Sequence, residues 1–502
     1  MKLRVLGVLC VLALVVGLTL QLGVAMADQP VPLTQAASAV FAPVRADGAA
    51  LLEKHCTTCH NLDRVTKASK TLDQWTSTVD RMIAKGINMA DGEREAIIEF
   101  LAQTYGPAPA APTKTFKLGV LGPFTGPSAR TGEEFKDATI MAFEEINYQI
   151  GDYKIELVWI DSQSDPEKAT RAYEEAIVQQ GVQAGIINWH SSVAVAVMEV
   201  TAKHKVPHFF GSGATEVVNE KFHSDPAKYS YWNFKMWPVP VKLAVNYVTA
   251  IEDSIAKGVW TPEAKRAAIY GEDTDWGRSF GKGLKDSLVA AGWEIVDEQY
   301  FPMDQTEFYP LLNKFKDEDV ALIGGTSTAP PSLSAFIKQA DEIGLKALII
   351  ADGLGWVGEW YKLTGSASNY VLDQIPGWTT DKAKKFAADF QTKWGIEPSP
   401  SAAGLSYDSS KFFIEIAKAT IKEYGELTSE TLHKFAEEKV ATGEFTYKDG
   451  IVMAEYKYTP ETVPDPVVGK GYYTFPVLQY MDGKGEVIWP DEWKTTDVKP
   501  KP

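Results

Sequence analysis

The chain has 502 residues and a formal net charge of −16. This length exceeds what one hydrophobic core usually supports, so it predicts several compact units. The acidic balance argues against nucleic acid or anionic lipid as a partner and favours basic docking partners.

The first 27 residues have the pattern of a secretory signal peptide. A basic start is followed by an apolar run from Val5 to Leu20, and the small residues Ala25 and Ala27 precede the expected cleavage site. We therefore predict export to the periplasm. The run is also long enough for an uncleaved membrane anchor. A lipid anchor at Cys10 does not fit, because Cys10 lies inside the apolar run.

Cleavage would leave 48 basic and 66 acidic residues, a net charge near −18, and two cysteines, Cys56 and Cys59. With His60 they form C-x-x-C-H, the attachment signature of c-type haem. The two thiols would form thioethers with the porphyrin, and the imidazole would bind the iron as proximal ligand. We predict one covalent haem c and no disulfide. A redox dithiol lacks a βαβ pattern here, and a zinc site would need two further ligands.

Residues 44–106 predict three short helices around this motif. The first helix leads into the motif. A capping box of Thr71 and Gln74 begins the second helix, and Asp91 is expected to cap the third.

The sixth iron ligand is predicted to be a methionine. Met82 lies on the apolar stripe of its helix, facing the expected ring, whereas Met89 in the next loop is the alternative and either could be core filler. The segment resembles small bacterial cytochrome c domains that share W-x-x-x-V-x-R-M-x-x-x-G, which here runs from Trp75 to Gly86. The resemblance implies an all-α class I cytochrome c domain and favours Met82.

The proline- and alanine-rich residues 107–115 predict an extended linker. Beyond it, residues 116–495 alternate short apolar strands with amphipathic helices, which predicts parallel sheets flanked by helices.

Ordered motifs in this second region resemble the periplasmic solute-binding proteins of the branched-chain amino-acid (Leu/Ile/Val) type. Residues 121–126 with 142–147 match the opening strand, loop and helix, residues 161–166 match the end of the second strand, and residues 481–485 match a terminal hairpin. The resemblance implies a two-lobed α/β periplasmic binding protein of type I with a hinge. Its lobes are expected at about 116–238 with 378–455, and at about 239–377 with 456–495.

Two loops at the carboxyl ends of predicted strands form the expected ligand site. Residues 188–192 open a helix, so their hydroxyls and free backbone N–H groups suit a carboxylate. The glycines of residues 211–215 let the backbone approach a ligand. The resemblance implies an acidic ammonium partner near Asp352, although a strand-end turn aspartate is an equal alternative. The predicted ligand-binding residues are Ser191, Ser192, Gly213, Ala214, Thr215, Trp276 and Asp352.

Tryptophans are dense around these positions and favour a flat aromatic or otherwise apolar organic acid, although an amino acid stays open. His190 is expected to cap its helix or lie at the surface rather than bind ligand. The tryptophans in question are Trp189, Trp232, Trp237, Trp276, Trp356, Trp360 and Trp378.

We expect a monomeric, non-enzymatic protein that binds a small carboxylate-bearing molecule, with an ABC-type permease and a periplasmic redox partner. The second region contains no H-E-x-x-H or P-loop motif, and its histidines are scattered. The alternative is a periplasmic oxidoreductase component or a sensor, in which the haem accepts electrons from a dehydrogenase or from a cleft-bound substrate.

Overall fold

A computed structural model of the chain describes residues 48–58, 60–90, 92–106 and 111–502. The chain divides after residue 109 into an N-terminal unit and a C-terminal unit. The predicted signal peptide, Cys59 and Asp91 lie outside the described residues. Within the described ranges, no helix is both long and apolar enough to cross a membrane.

The described part of the N-terminal unit is helical, as predicted, but it has four helices where the sequence predicts three. The predicted capping box is present, because the Thr71 side chain accepts from the backbone N–H of Gln74 and the Gln74 side chain accepts from that of Thr71. The N-cap residue of the last helix is Gly92, at a left-handed φ of 85°. The helices are α1 (Gly48–Cys56), α2 (Asp63–Thr66), α3 (Leu72–Ile83) and α4 (Glu93–Thr104).

The core of the N-terminal unit is small. Trp75 is its largest buried side chain, and the indole N–H donates to the carbonyl of Tyr105 at 3.1 Å. This bond ties α3 to the end of α4. The buried apolar residues described here are Leu51, Leu52, Val65, Trp75, Val79, Ile97, Ile98 and Leu101.

Lobe 1 of the C-terminal unit is built on a six-stranded sheet in the order β2-β3-β1-β4-β5-β6, parallel except for the β2–β3 pair. Its strands are β1 (Lys114–Gly122), β2 (Gln149–Ile150), β3 (Tyr153–Asp161), β4 (Ala184–Ile186), β5 (His208–Phe209) and β6 (Trp232–Asn233). Its first helices are α5 (Ala129–Glu144), α6 (Pro166–Val178), α7 (Ser191–His204), α8 (Glu216–Ser224) and α9 (Pro226–Tyr229).

Lobe 2 is built on a seven-stranded sheet in the order β13-β12-β11-β10-β9-β7-β8, in which β12 is antiparallel to both of its neighbours, β11 and β13, and the other pairs are parallel. Its strands are β7 (Arg266–Glu272), β8 (Glu294–Phe301), β9 (Leu322–Thr326), β10 (Leu348–Asp352), β11 (Leu372–Gln374), β12 (Val477–Met481) and β13 (Lys484–Trp489). Its helices are α10 (Val241–Ala256), α11 (Asp275–Ala290), α12 (Tyr309–Asp317), α13 (Pro330–Glu342) and α14 (Trp360–Thr364), with 3₁₀ turns at Leu354–Trp356 and Gly365–Ser368.

Between β11 and β12 the chain returns to lobe 1, where a long helix packs against α5. The chain therefore passes between the lobes three times, near residues 234–240, 375–380 and 457–476. The returning helices are α15 (Asp381–Trp394), α16 (Leu405–Tyr424) and α17 (Ser429–Phe435), with π-helical turns at Pro400–Gly404 and Ala436–Val440. The predicted two-lobed α/β architecture is confirmed.

A buried ion cluster joins two of these crossings. The Asp465 carboxylate, on the third crossing, contacts the ammonium groups of Lys235 at 2.6 Å and Lys242 at 2.9 Å. Lys235 lies on the first crossing, and both it and Asp465 are fully buried. Burial opposes the charge of Asp465, but the two lysines outweigh it and lower the pKa of the carboxyl. The cluster holds these crossings side by side.

Candidate haem and ligand sites

The N-terminal unit contains a cavity of about 320 Å³. Cys56 at the end of α1 and His60 just beyond it line this cavity, and Met82 and Met89 line it as well. Apolar side chains of the core, including Trp75 and Val79, complete the wall. The residues predicted from the haem motif are therefore gathered around one space, apart from Cys59, which lies outside the described residues.

The His60 ring is oriented by its own neighbourhood. Its Nδ1–H donates to the backbone carbonyl of Asn61 at 2.8 Å. This tautomer leaves the lone pair on Nε2, and a metal-binding histidine commonly has its other ring nitrogen fixed by such a carbonyl. The imidazole can therefore bind an iron through Nε2.

Cys56 is half-buried, and burial raises the pKa of its thiol. Catalytic redox dithiols need the opposite shift, because the thiolate is the reactive form. This favours haem attachment over the alternative of a redox dithiol.

Basic side chains also line the cavity. Arg64 and Lys70 contribute from the segment after α1, and Arg81 and Lys85 from the end of α3. No acidic side chain is among the described residues of this lining. Such a wall suits a group that is flat and apolar in its body and carries carboxylates at its edge, as haem does. The residues present fit a haem.

The C-terminal unit has a second, much smaller cavity between its lobes, of about 20 Å³. This is room for about one water-sized group. Both lobes and the first crossing contribute to its wall. The lining residues are Trp189, Ser191, Ser212 and Ala214 from lobe 1, Trp237 from the crossing, and Trp276, Thr328 and Trp356 from lobe 2.

Trp356 stands at the centre of an aromatic cluster around this cavity. Its ring meets that of Trp189 edge-to-face, with centroids 5.0 Å apart at an angle of 86°. The rings of Trp237 and Trp276 lie 5.9 Å and 5.6 Å from it. The four indoles, taken from different parts of the chain, fill most of the cleft.

Several hydrogen bonds among the described residues join the lobes. The backbone N–H of Asp275 donates to Ser192 Oγ at 3.1 Å, and Thr215 Oγ1 lies 2.8 Å from Ser279 Oγ. Ser128 Oγ donates to the carbonyl of Thr328 at 2.8 Å. The lobes are thus closed on each other.

The structure brings part of the predicted ligand set to the cavity. Ser191, Ala214 and Trp276 line it. The hydroxyl groups of Ser192 and Thr215 instead form hydrogen bonds between the lobes. Gly213 takes a left-handed φ of 39° in the loop before Ala214, where a side chain would be strained.

Asp352 lies apart from the cavity. It is buried beside Asp373 and accepts a hydrogen bond from the Tyr247 hydroxyl at 2.7 Å. Burial and the neighbouring Asp373 raise the pKa of Asp352 well above its usual range. Asp352 is not among the described residues that line the cleft cavity.

His190 differs from expectation. Its side chain makes no cap bond and is buried, with Nε2 3.1 Å from Ser128 Oγ. Because the Ser128 hydroxyl donates to Thr328, His190 donates to Ser128 in turn. Burial lowers the pKa of His190 to about 3, so the ring is neutral. The prediction of a side-chain cap or a surface position is wrong, because the closed lobes cover the start of α7.

Sequence reasoning missed the buried Glu134, which supports the backbone next to Trp356 through hydrogen bonds. Glu134 of α5 is fully buried and accepts from the backbone N–H groups of Ser399 at 2.8 Å and Ala403 at 3.2 Å. The Ser399 hydroxyl donates to the carbonyl of Trp356 at 2.6 Å. Burial raises the pKa of Glu134 to about 7, against the lowering effect of Arg130. A lone glutamate in a helix carries no sequence signal for such a role.

Residues 277–281 read G-x-S-x-G, a spacing found around catalytic serines. Ser279 lies inside α11, however, and its hydroxyl is paired with Thr215. A nucleophile of that class stands on a sharp turn between strand and helix, next to a histidine base. Among the described contacts of Ser279 there is no histidine, so the match is one of spacing alone.

Comparisons with known proteins find matches to both units of the chain. A family model described as "Periplasmic binding protein" matches residues 115–460. A second, described as "Quinohemoprotein amine dehydrogenase A, alpha subunit, haem binding", matches residues 46–118. "Leu/Ile/Val-binding protein homolog 6" of Brucella suis biovar 1 (strain 1330) is 26% identical over 242 residues, which are 48% of this chain and 58% of that protein. The chain thus spans little more than half of that relative's length.

Two solved structures share the fold of the C-terminal unit. A putative branched-chain amino acid ABC transporter from Silicibacter pomeroyi has a TM-score of 0.64 at 18% identity, covering 78% of this chain and 100% of that one. A solute binding protein of an ABC transporter from Rhodopseudomonas palustris HaA2, in complex with p-hydroxybenzoic acid, has a TM-score of 0.61 at 20% identity, covering 77% and 98%. The chain belongs to the periplasmic binding protein family and carries a haem-binding domain at its N-terminal end.

Proposed function

We propose that this chain is an exported solute-binding protein that captures a small organic ligand between its lobes and transfers electrons through a haem c. The observation that supports this best is that one chain contains both a cleft lined by two lobes and a cavity lined by Cys56 and His60. Export to the periplasm follows from the pattern of residues 1–27.

In the N-terminal unit, Cys56 and Cys59 would hold one haem through thioethers. His60 would bind the iron through Nε2, and Met82 would bind the opposite side, with Met89 as the alternative. A haem held in this way supplies one-electron redox chemistry. The basic side chains of the cavity would pair with its carboxylates and fix its orientation.

In the C-terminal unit, the ligand would be an amino acid or an organic acid. Relatives are named for binding leucine, isoleucine and valine, and a protein of the same fold is in complex with p-hydroxybenzoic acid. These molecules share a carboxylate. Helix α7 begins at Ser191 in the cavity wall, so its positive end suits that group.

Capture of this kind involves no bond breaking, and we therefore propose a binding protein rather than an enzyme. Its partners would be an ABC-type permease and a periplasmic redox protein, and the chain would act as a monomer. The acidic balance of the chain gives no reason to expect nucleic acid.

A redox enzyme component or sensor is the second candidate. The observation that favours it is the haem-binding family match, whose description names a quinohemoprotein amine dehydrogenase subunit. Under anaerobic conditions, a cleft-bound substrate that donates electrons would reduce the haem and sharpen its visible bands. A binding protein would keep an oxidised haem after the same addition.

The proposal is tested by mass analysis of small molecules that co-purify with the native protein, followed by calorimetric titration of each one. We expect an organic or amino acid with a stoichiometry of about one per chain and a raised melting temperature. Failure of every co-purified and added acid to bind would contradict capture in the cleft.

The iron ligands are tested by two single substitutions. Met82→Ala should abolish the sulfur-to-iron charge-transfer band at the red end of the spectrum and lower the reduction potential, because a thioether ligand raises it. Met89→Ala is the matched control and should leave both nearly unchanged. The reverse ranking would assign the ligand to Met89.

A further inference from the structure

The cleft contains three buried hydrogen-bond donors without partners. Trp189, Trp237 and Trp356 are 8%, 4% and 5% exposed, and their indole N–H groups meet no acceptor among the described residues. The fourth indole of the cavity, Trp276, donates to Thr326 Oγ1 at 2.9 Å. Buried donors in folded proteins are nearly always paired, so three orphans around one cavity call for an explanation.

The neighbouring aromatic rings do not provide adequate acceptors for these N–H groups. The edge-to-face packing of Trp189 on Trp356 offers at most an N–H to ring contact, which is much weaker than a bond to oxygen. An acceptor brought in by a ligand would satisfy the donors when the lobes close. Ser191 and Ser212 add hydroxyls to the same wall.

The cavity wall offers no counter-charge to a cation, because no charged side chain is among the described residues that line it. Glu272 lies behind Thr328, and one of its oxygens already accepts from the Thr328 backbone N–H at 2.6 Å and hydroxyl at 2.7 Å. Its other oxygen accepts from the Thr274 hydroxyl at 2.8 Å. An ammonium group in this cleft would be buried without a counter-charge, which is costly.

We infer that the cleft selects organic acids that lack an ammonium group, and that the indole N–H groups of Trp189, Trp237 and Trp356 donate to the ligand's oxygens. This inference rests on the proposed capture of a ligand in the cleft. The carboxylate also meets the positive end of α7, and the ligand's apolar part lies against the indole faces. The closed cavity holds about one water-sized group, so the ligand enters while the lobes are apart.

Pairs of ligands that differ only in the ammonium group test the selection. Calorimetric titration of the full-length haem protein would compare 4-methylpentanoate with L-leucine, and 3-phenylpropanoate with L-phenylalanine. We expect the acid of at least one pair to bind at least tenfold more tightly than its amino counterpart. Tighter binding of the amino acids would overturn the inference and leave capture in the cleft standing. Failure of all four to bind would overturn both.

Tryptophan-to-phenylalanine substitutions test the donors, since they keep an aromatic ring and remove the N–H. Trp189→Phe, Trp237→Phe and Trp356→Phe should each weaken acid binding roughly ten- to a hundredfold, as expected for a lost bond to a charged acceptor. Trp260→Phe is the matched control, because Trp260 is buried away from the cavity wall. Wild-type affinity in all three variants would overturn the assignment.

If the variants do not fold, a measurement on the wild-type protein tests the same assignment. In protein labelled with ¹⁵N-tryptophan, acid binding should move three indole N–H resonances downfield, as new hydrogen bonds form. The resonance of Trp276, which already has a partner, should move less. Unmoved indole resonances in the presence of bound acid would overturn the inference.

Discussion

The haem-motif cavity and the cleft cavity of this protein differ in size, in charge and in what closes them. The N-terminal cavity measures about 320 Å³ and has four basic side chains in its wall, whereas the cleft cavity measures about 20 Å³ and is lined without charge. The first is shaped for a large permanent group, and the second is nearly filled by the protein's own indoles. We therefore expect the N-terminal unit to depend on a cofactor for its stability, and the C-terminal unit to admit its ligand by movement of the lobes.

The hydrophobic cores support this contrast. Eight buried apolar residues are described in the N-terminal unit, while each lobe of the C-terminal unit packs helices on an extended sheet. A unit of about 60 residues with so few buried side chains is marginal without a covalent or bound group to complete it.

The largest expected effect therefore comes from removing the haem attachment. The double change Cys56→Ala and Cys59→Ala should abolish covalent haem and with it the cooperative unfolding transition of the N-terminal unit. All but one of the 14 tryptophans lie in the C-terminal unit, so its unfolding can be followed separately by fluorescence and should be unchanged. Haem that acidic acetone extracts from the wild type would contradict covalent attachment.

The same contrast governs what could be predicted from sequence. C-x-x-C-H and the capping box at Thr71 are local signals, because adjacent residues determine the chemistry, and the structure gathers Cys56 and His60 at one cavity. The alternation of strands and helices in the C-terminal unit was likewise predictable, because apolar runs and amphipathic stretches are local patterns that indicate which side chains are buried.

The cleft was only partly predictable, because closure pairs residues far apart in the chain. The Ser192 and Thr215 hydroxyls look available in sequence, yet Asp275 and Ser279 of the other lobe take them up. Asp352 follows a strand as a binding carboxylate would, but it turns to Tyr247 inside lobe 2. Such pairings depend on how distant parts of the chain pack together, so the local sequence pattern around each residue does not predict them.

The next largest effect is expected at the ion cluster between the crossings. Asp465→Asn would leave Lys235 buried without its counter-charge and should destabilise the C-terminal unit by about 3–5 kcal/mol. Urea unfolding followed by tryptophan fluorescence measures this loss, while the haem Soret band should report an unchanged N-terminal unit. Asp491→Asn is the matched control, because the pair of Asp491 with Lys257 is on the surface and contributes little. Equal stability of the two variants would contradict the role of the cluster.

A smaller effect, dependent on pH, is expected from Glu134 behind Trp356. Because its pKa of about 7 in the folded chain is above the ordinary 4.5, the folded state binds the proton more tightly. Its contribution to stability is therefore present below about pH 4.5 and is lost as the pH rises towards 7, by up to about 3 kcal/mol.

The measurement is the free energy of unfolding of the C-terminal unit at pH 5 and pH 8. Glu134→Gln should reduce the difference between the two values, even though Asp137 and Asp408, each with a pKa raised by burial to about 6, keep part of it. Glu133→Gln, on the exposed side of the same helix, should behave as the wild type. A wild-type pH dependence in Glu134→Gln would show that this carboxyl is not the titrating group.

The smallest effect is expected from the hydrogen bonds that close the lobes. Ser279→Ala removes the partner of Thr215 and leaves the Thr215 cap on α8 intact, since that oxygen still accepts from the N–H of Val217. A lost neutral hydrogen bond is worth about 0.5–1.5 kcal/mol, so the closed state should be less populated and 4-methylpentanoate should bind two- to tenfold more weakly. Small-angle scattering of the ligand-free variant should show a larger radius of gyration than the wild type. Ser287→Ala is the matched control, because its hydroxyl donates within α11 to the carbonyl of Gly283. If Ser279→Ala binds like Ser287→Ala, closure does not depend on this contact, and the remaining hydrogen bonds between the lobes and the indole cluster hold the lobes together.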